Sequence, residues 1–136
     1  MSTGPAARVL DSWGLLAFLK GEPAAEKVEA FLASAQDDGA ELLVTTVNLA
    51  EVWYSIARSR SEAEADDAVA KLCRLGLRVV DADWELAREA ARFKAKHGIA
   101  FADCFAAALA KLRNVEIVTG DPVFQKVEDE VSVRWL

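Results

Sequence analysis

The stretch RVLDSWG, Arg8 to Gly14, decides the fold. Val9 and Leu10 close a short apolar run, Asp11 follows at once, and SWGLLAFL then continues as a helical turn or two. A strand, an acid and then a helix form a unit, and its recurrence along the chain is what the fold depends on.

The unit recurs. After KGEPAAEKVEAFLASAQ, where Pro23 stands near a helix start and Val28, Phe31 and Leu32 keep helical spacing, AELLVTT is the next β-branched run. It is closed by hydroxyl residues and by NLAEVWYSIARS, with Leu49, Val52, Trp53 and Ile56 on one helical face and Asn48, Glu51, Ser55 and Arg58 near another. SEAEADDAVAKLCRLG opens with Ser61 and Glu64 at capping-box spacing and stops at Gly76. LRVVDADWELAREAARFKAKHG is again a strand, then a helix capped by Asp81 or Asp83 and ended near Gly98. IAFADCFAAALAKLRN is a further helix with an expected core stripe of Phe101, Phe105, Leu109 and Leu112. VEIVTGDPVFQK is another strand with a turn at Gly120 to Pro122, and VSVRWL supplies a last edge strand. This alternation predicts a three-layer α/β fold with a mainly parallel central sheet flanked by helices.

With 136 residues, 53% hydrophobic and 28% charged, the chain is long enough for one core and too short for two ordinary domains, so residues 1–136 read as a single domain. A formal net charge of -6 argues against binding nucleic acid through overall attraction and leaves a local basic face open. Met1 and STGPAA lack the pattern of a secretory signal, and no later segment has transmembrane length without charges, so a cytoplasmic location is expected with no membrane partner. Cys73 and Cys104, without CxxC spacing, read as small buried side chains.

In an open parallel sheet, ligands gather outside the carboxyl ends of the strands, where strand order reverses. Asp11 lies just beyond the first strand and Asp121 just beyond the fourth, while Glu51 and Asp103 lie near the starts of helices expected to emerge at that edge. Converging carboxylates repel one another, and a hard divalent cation compensates, magnesium or manganese fitting an all-oxygen site best. His97 is the only histidine, which disfavours zinc and leaves it a packing or helix-dipole role. Metal-dependent phosphodiester hydrolysis is the chemistry that best uses such a set. Each acid also has a local reading: Asp11 as a helix cap, Glu51 as partner in an Asn48 capping box, Asp103 as a helix-dipole charge and Asp121 as the start of a turn.

The ordered pieces VLDSWGLLAFLKGE, VTTVNLAEVWYSIARS, GIAFADCFAAALAKL and IVTGDPVFQK resemble the PIN domain, and more specifically the VapC-like ribonuclease toxins of bacterial and archaeal type II toxin–antitoxin pairs. The resemblance covers nearly the whole chain. It implies a catalytic, metal-binding acidic centre at Asp11, Glu51, Asp103 and Asp121, with Ser12 and Thr119 as supporting hydroxyls. It also implies endoribonuclease activity, a cognate antitoxin and a homodimer, the antitoxin or dimer contact falling on WGLLAFL and the SEAEADDAVAKLCRL helix. Trp13 departs from the pattern, being bulky where the family often has a smaller residue.

Arg58 and Arg60 are the first candidates for RNA contact, with Arg88, Arg92 and Lys96 a second stripe that reads better as a solvated face. Trp13, Trp53 and Tyr54 are the aromatics considered for stacking an unpaired base, Trp53 sharing the apolar helix face. The competing reading is a non-catalytic RNA-binding or protein-interaction module with the same fold. A haloacid-dehalogenase-like phosphatase is disfavoured because Trp13 stands where its second aspartate belongs.

Overall fold

A computed structural model describes residues 7–136. The reading of Met1 to Ala6 lies outside them. In chain order the elements are β1 (Arg8–Leu10), α1 (Ser12–Leu19), α2 (Ala25–Asp38), β2 (Leu42–Thr45), α3 (Thr46–Ser59), α4 (Glu62–Arg74), β3 (Leu77–Val80), α5 (Trp84–His97), α6 (Phe101–Arg113), β4 (Glu116–Thr119), a 3-10 helix (Pro122–Val127) and β5 (Val133–Trp135).

The five strands lie in the order β3-β2-β1-β4-β5, and every pairing is parallel. Successive side chains of a strand point to opposite faces, and both faces here are covered. Val9, Leu43 and Ile117 enter the core built with α5, α6 and the 3-10 helix. Leu10, Leu42, Val44 and Val118 enter the core shared with α1 to α4. That division makes the three layers.

The helix boundaries follow from their caps. Asp11, Ser61 and Asp83 each accept a backbone N–H three residues on, so the cap of α5 is Asp83 rather than Asp81. Gly98 ends α5 at φ 67, a left-handed conformation that side chains with a Cβ rarely adopt.

Two expectations about packing are corrected. Phe101 is 49% exposed and Leu112 40% exposed, so the inner residues of α6 are the continuous run Cys104 to Ala110 instead of a stripe. The alanines in that run let neighbouring elements approach from several sides, while the two ends of the helix reach solvent. Cys104 is buried as expected, whereas Cys73 is exposed on the last turn of α4.

The connections β1 to β2 to β3 build the sheet to one side, and the chain then returns past β1 to add β4 and β5 on the other. Strand order therefore reverses between β1 and β4, which opens a crevice at their carboxyl ends.

Candidate metal centre

Leu10 pairs with Val118, so the next residue along each strand, Asp11 and Thr119, meets at the mouth of that crevice. The Thr119 hydroxyl donates to Asp11 Oδ2 at 2.8 Å, and the Gly14 N–H donates to Oδ1 at 3.1 Å. Asp11 is only 1% exposed. The local reading of this residue as a cap holds, and the cap stands at the crevice.

Asp121 follows on the adjacent loop, its N–H donating to Thr119 Oγ1 at 3.0 Å while its Oδ1 caps the 3-10 helix through the Val123 N–H at 3.0 Å. Glu51 projects from the second turn of α3, where Ser12 Oγ donates to Glu51 Oε1. Asp103 lies in the first turn of α6. Ser12, Trp13, Glu51, Tyr54, Asp103 and Asp121 together line a cleft of about 330 Å³.

One residue read from the sequence only as the capping-box partner of Glu51 is a positioning residue. Asn48 is fully buried, accepts from the Thr45 hydroxyl at 2.6 Å and donates to the Ala102 carbonyl at 3.0 Å. Thr45, the N-cap of α3, accepts the Asn48 N–H in return at 3.0 Å. This clasp pins the start of α3 to the start of α6, which brings Glu51 and Asp103 to one cleft. Thr45, not Asn48, caps α3, so the capping-box reading of Glu51 does not hold. The threonine and asparagine three residues apart in VTTVN were the available signal.

The electrostatics are those of an uncompensated acidic centre. Burial, opposed by the bonds from Thr119 and Gly14 and reinforced by the charges of Asp103 and Asp121, pushes Asp11 from 3.8 to about 7. Burial, with Asp121 and Glu51 nearby, raises Asp103 from 3.8 to about 6. Among the described residues no lysine, arginine or histidine pairs with any of the four acids. The donor set is all oxygen, and its mutual repulsion is what a hard divalent cation relieves, so these residues fit magnesium or manganese.

Glu51, Asp103 and Asp121 line the cleft and Asp11 feels the charges of Asp103 and Asp121, but no three of the four bring their ligand atoms within 4.8 Å of one another. Among the described residues, the group whose potential ligand atoms all lie within 4.8 Å of one another is His97, Asp129 and Glu130. Its surroundings differ in kind. Glu130 Oε1 accepts from Arg92 and Lys111, both at 2.6 Å, and Oε2 pairs with His97 at 2.7 Å and Lys96 at 3.3 Å. Burial alone would raise the pKa of Glu130, but bonds from Lys111, His97, Arg92 and Lys96 together hold it well below the usual carboxylate range. Three cationic side chains and a His97 ring nitrogen already engage this carboxylate, so the cluster works as an ion-pair hub. His97 also stacks on Phe93, the packing role expected of it.

The basic candidates separate. Arg58 extends over the Tyr54 ring at 6.0 Å and so stays near the acidic cleft. Arg60 lines a different, larger cleft of about 740 Å³ formed by the ends of α1 and α3 with α4. In the second stripe, Arg92 and Lys96 are engaged by Glu130.

The PIN domain profile matches residues 8–130. The fold is similar to that in the crystal structure of VapBC2 from Rickettsia felis bound to a DNA fragment from their promoter, with a TM-score of 0.73 at 15% identity, covering 95% of this chain and 98% of that one. It is also similar to Mycobacterium tuberculosis VapC20, described as a sarcin-ricin loop cleaving toxin, with a TM-score of 0.72 at 18% identity over 94% and 99% of the two chains. FitAcB from Neisseria gonorrhoeae gives a TM-score of 0.64 at 23% identity over 93% and 95%. No curated protein matches the sequence significantly. A profile match from Arg8 to Glu130, on a parallel sheet whose reversal point carries Asp11 and Asp121, places the chain in the PIN domain family.

Proposed function

We propose that the protein is a metal-dependent endoribonuclease that hydrolyses RNA phosphodiester bonds and serves as the toxin of a type II toxin–antitoxin pair. The observation that carries this reading is that Glu51, Asp103 and Asp121 line one cleft, that the charges of Asp103 and Asp121 act on the buried Asp11 at the β1–β4 reversal, and that among the described residues no cationic side chain pairs with any of the four. Asp11, Asp103 and Asp121 would hold the cation, directly or through water, and Glu51 completes the charge set or orients water. A divalent ion bound there neutralises phosphoryl oxygens and lowers the pKa of water. Thr119 and Gly14 keep Asp11 in one rotamer, and Ser12 does the same for Glu51.

The larger cleft is the surface we assign to the antitoxin. Leu19, Ile56 and Ala68 give it apolar ground, and Arg60, Lys71 and Arg74 stand among its charged residues. A homodimer remains part of the proposal. Among the described residues no helix is long and apolar enough to cross a membrane.

The test is cleavage of a panel of structured and unstructured RNAs by antitoxin-free protein, with magnesium or manganese and an EDTA control, using wild type beside Asp11→Asn. Metal-dependent cuts that vanish in the variant support the nuclease centre. RNA binding without any cut, from folded and metal-loaded protein, would move the non-catalytic module ahead.

A further inference from the structure

The acids account for the floor of the cleft but not for its walls. Trp13 follows Ser12 in α1, and the six-membered ring of its indole comes so close to the loop after β4 that a Cβ added at Gly120 would stand 2.3 Å from it. Only glycine at that position admits the ring, so the loop that carries Asp121 is built around the indole. Tyr54, one helical turn after Glu51 and 46% exposed although aromatic, lines the same cleft. Trp53, its neighbour, is committed elsewhere: its Nε1–H donates to Asp66 of α4 at 2.9 Å and its half-buried ring packs against the core.

Apart from the one phosphate a bound cation would engage, an acidic floor offers an RNA no attraction by charge, and the chain as a whole is anionic. Stacking is independent of charge and tolerates any base, because every base has a π face. Only an unpaired base can be splayed onto an aromatic ring. We propose that Tyr54 and Trp13 form a clamp that stacks unpaired bases flanking the phosphate addressed by the acids. The Arg58 guanidinium lies over the Tyr54 ring, 6.0 Å from its centre, which sets a cation beside the stacking residue for a neighbouring phosphate. The inference rests on the nuclease reading and deepens it.

The test uses a fluorescently labelled, unstructured RNA octamer, the same octamer with abasic sites, and the octamer annealed to its complement. Affinity is measured by anisotropy with calcium in place of magnesium. Wild type should bind the single strand best. Tyr54→Ala should weaken it about tenfold and Tyr54→Phe by less than about twofold, because the ring stacks and the hydroxyl does not. The abasic octamer should lose a similar factor on wild type and little on Tyr54→Ala. Trp13→Ala should act like Tyr54→Ala, but Tyr54 is the primary site because it is exposed and its loss does not disturb packing around Gly120. Equal binding of the abasic and intact octamers, or no effect of Tyr54→Ala, would overturn the clamp, as would failure of wild type to bind the octamer. Metal-dependent cleavage without base dependence would overturn the clamp and leave the nuclease reading standing. Base-dependent binding with no cleavage under any metal would keep the clamp and sink the nuclease reading.

Discussion

Thr119 donates its hydroxyl to Asp11 across the β1–β4 pair at 2.8 Å, with both residues all but excluded from solvent. The bond exists because the register sets Leu10 opposite Val118 and leaves the next residue of each strand facing the crevice. It fixes one carboxylate oxygen, and the Gly14 N–H fixes the other. Thr119→Val removes the donor while keeping the shape. It should lower metal affinity by about ten- to a hundredfold, and Asp11→Asn should lower cleavage by more than about a hundredfold. Manganese titration of each variant beside its cleavage rate checks both, and wild-type affinity in Thr119→Val would remove this hydroxyl from the site.

The raised carboxyls give the metal-free protein a pH dependence of definite sign. Asp11, at about 7 against an ordinary 3.8, and Asp103, at about 6, keep protons in the folded chain that the unfolded chain has already lost. Between pH 4 and 7 the native state therefore binds more protons, and stability falls as pH rises. For Asp11 the loss is on the order of 3 kcal/mol. Added magnesium or manganese needs the carboxylates ionised, so its stabilising effect should grow over the same interval. Melting curves at pH 5 and 7.5, in EDTA and with manganese, should show opposite trends, and Asp11→Asn should be the more stable protein at pH 7.5 in EDTA. A metal-free protein that gains stability from pH 5 to 7.5 would contradict this account.

Asn48 reaches from α3 to the Ala102 carbonyl at 3.0 Å, one residue before Asp103. Asn48→Ala leaves that carbonyl and the Thr45 hydroxyl short of a partner in the interior and should cost about 1–3 kcal/mol. Cleavage should fall further than stability explains, because Glu51 and Asp103 ride on the two elements the clasp joins. Rates measured well below the melting range separate the two effects. Unchanged rates would make the clasp purely structural.

How much of this was legible in the sequence depended on whether a feature is local. Asp11 and Asp121 could be placed because each ends a recognisable strand, and the reversal rule says where such ends meet. The Ser61 cap was legible for the same reason, and the cap of α5 was narrowed to Asp81 or Asp83. The Asn48 clasp was not, because its partner is a backbone carbonyl 54 positions away that carries no side-chain signal. The α6 stripe was misjudged at Phe101 and Leu112 because periodicity records hydrophobicity and not where a helix outruns its sheet. Glu130 went unnoticed, since its four partners gather from α5 and α6 only after folding.

That hub gives the last prediction. Glu130, just before β5, accepts from Arg92, Lys96 and His97 of α5 and from Lys111 of α6, so one carboxylate ties the final strand's approach to two helices. Its folded pKa lies below the ordinary value, so the stability it contributes is present above about pH 4.5 and is lost as the solution is acidified. This acid-side loss runs opposite to the change caused by Asp11 and Asp103, and the metal-free protein should be most stable in a window between the two. Glu130→Gln keeps the size of the side chain but withdraws the charge, and should cost about 1–3 kcal/mol, less than its crowded surroundings suggest because Arg92, Lys96 and Lys111 return to solvent. The variant should bind manganese and cleave RNA as wild type does at temperatures where both are folded. Loss of manganese binding in Glu130→Gln, with binding retained in Asp11→Asn, would move the metal centre from the crevice to the hub.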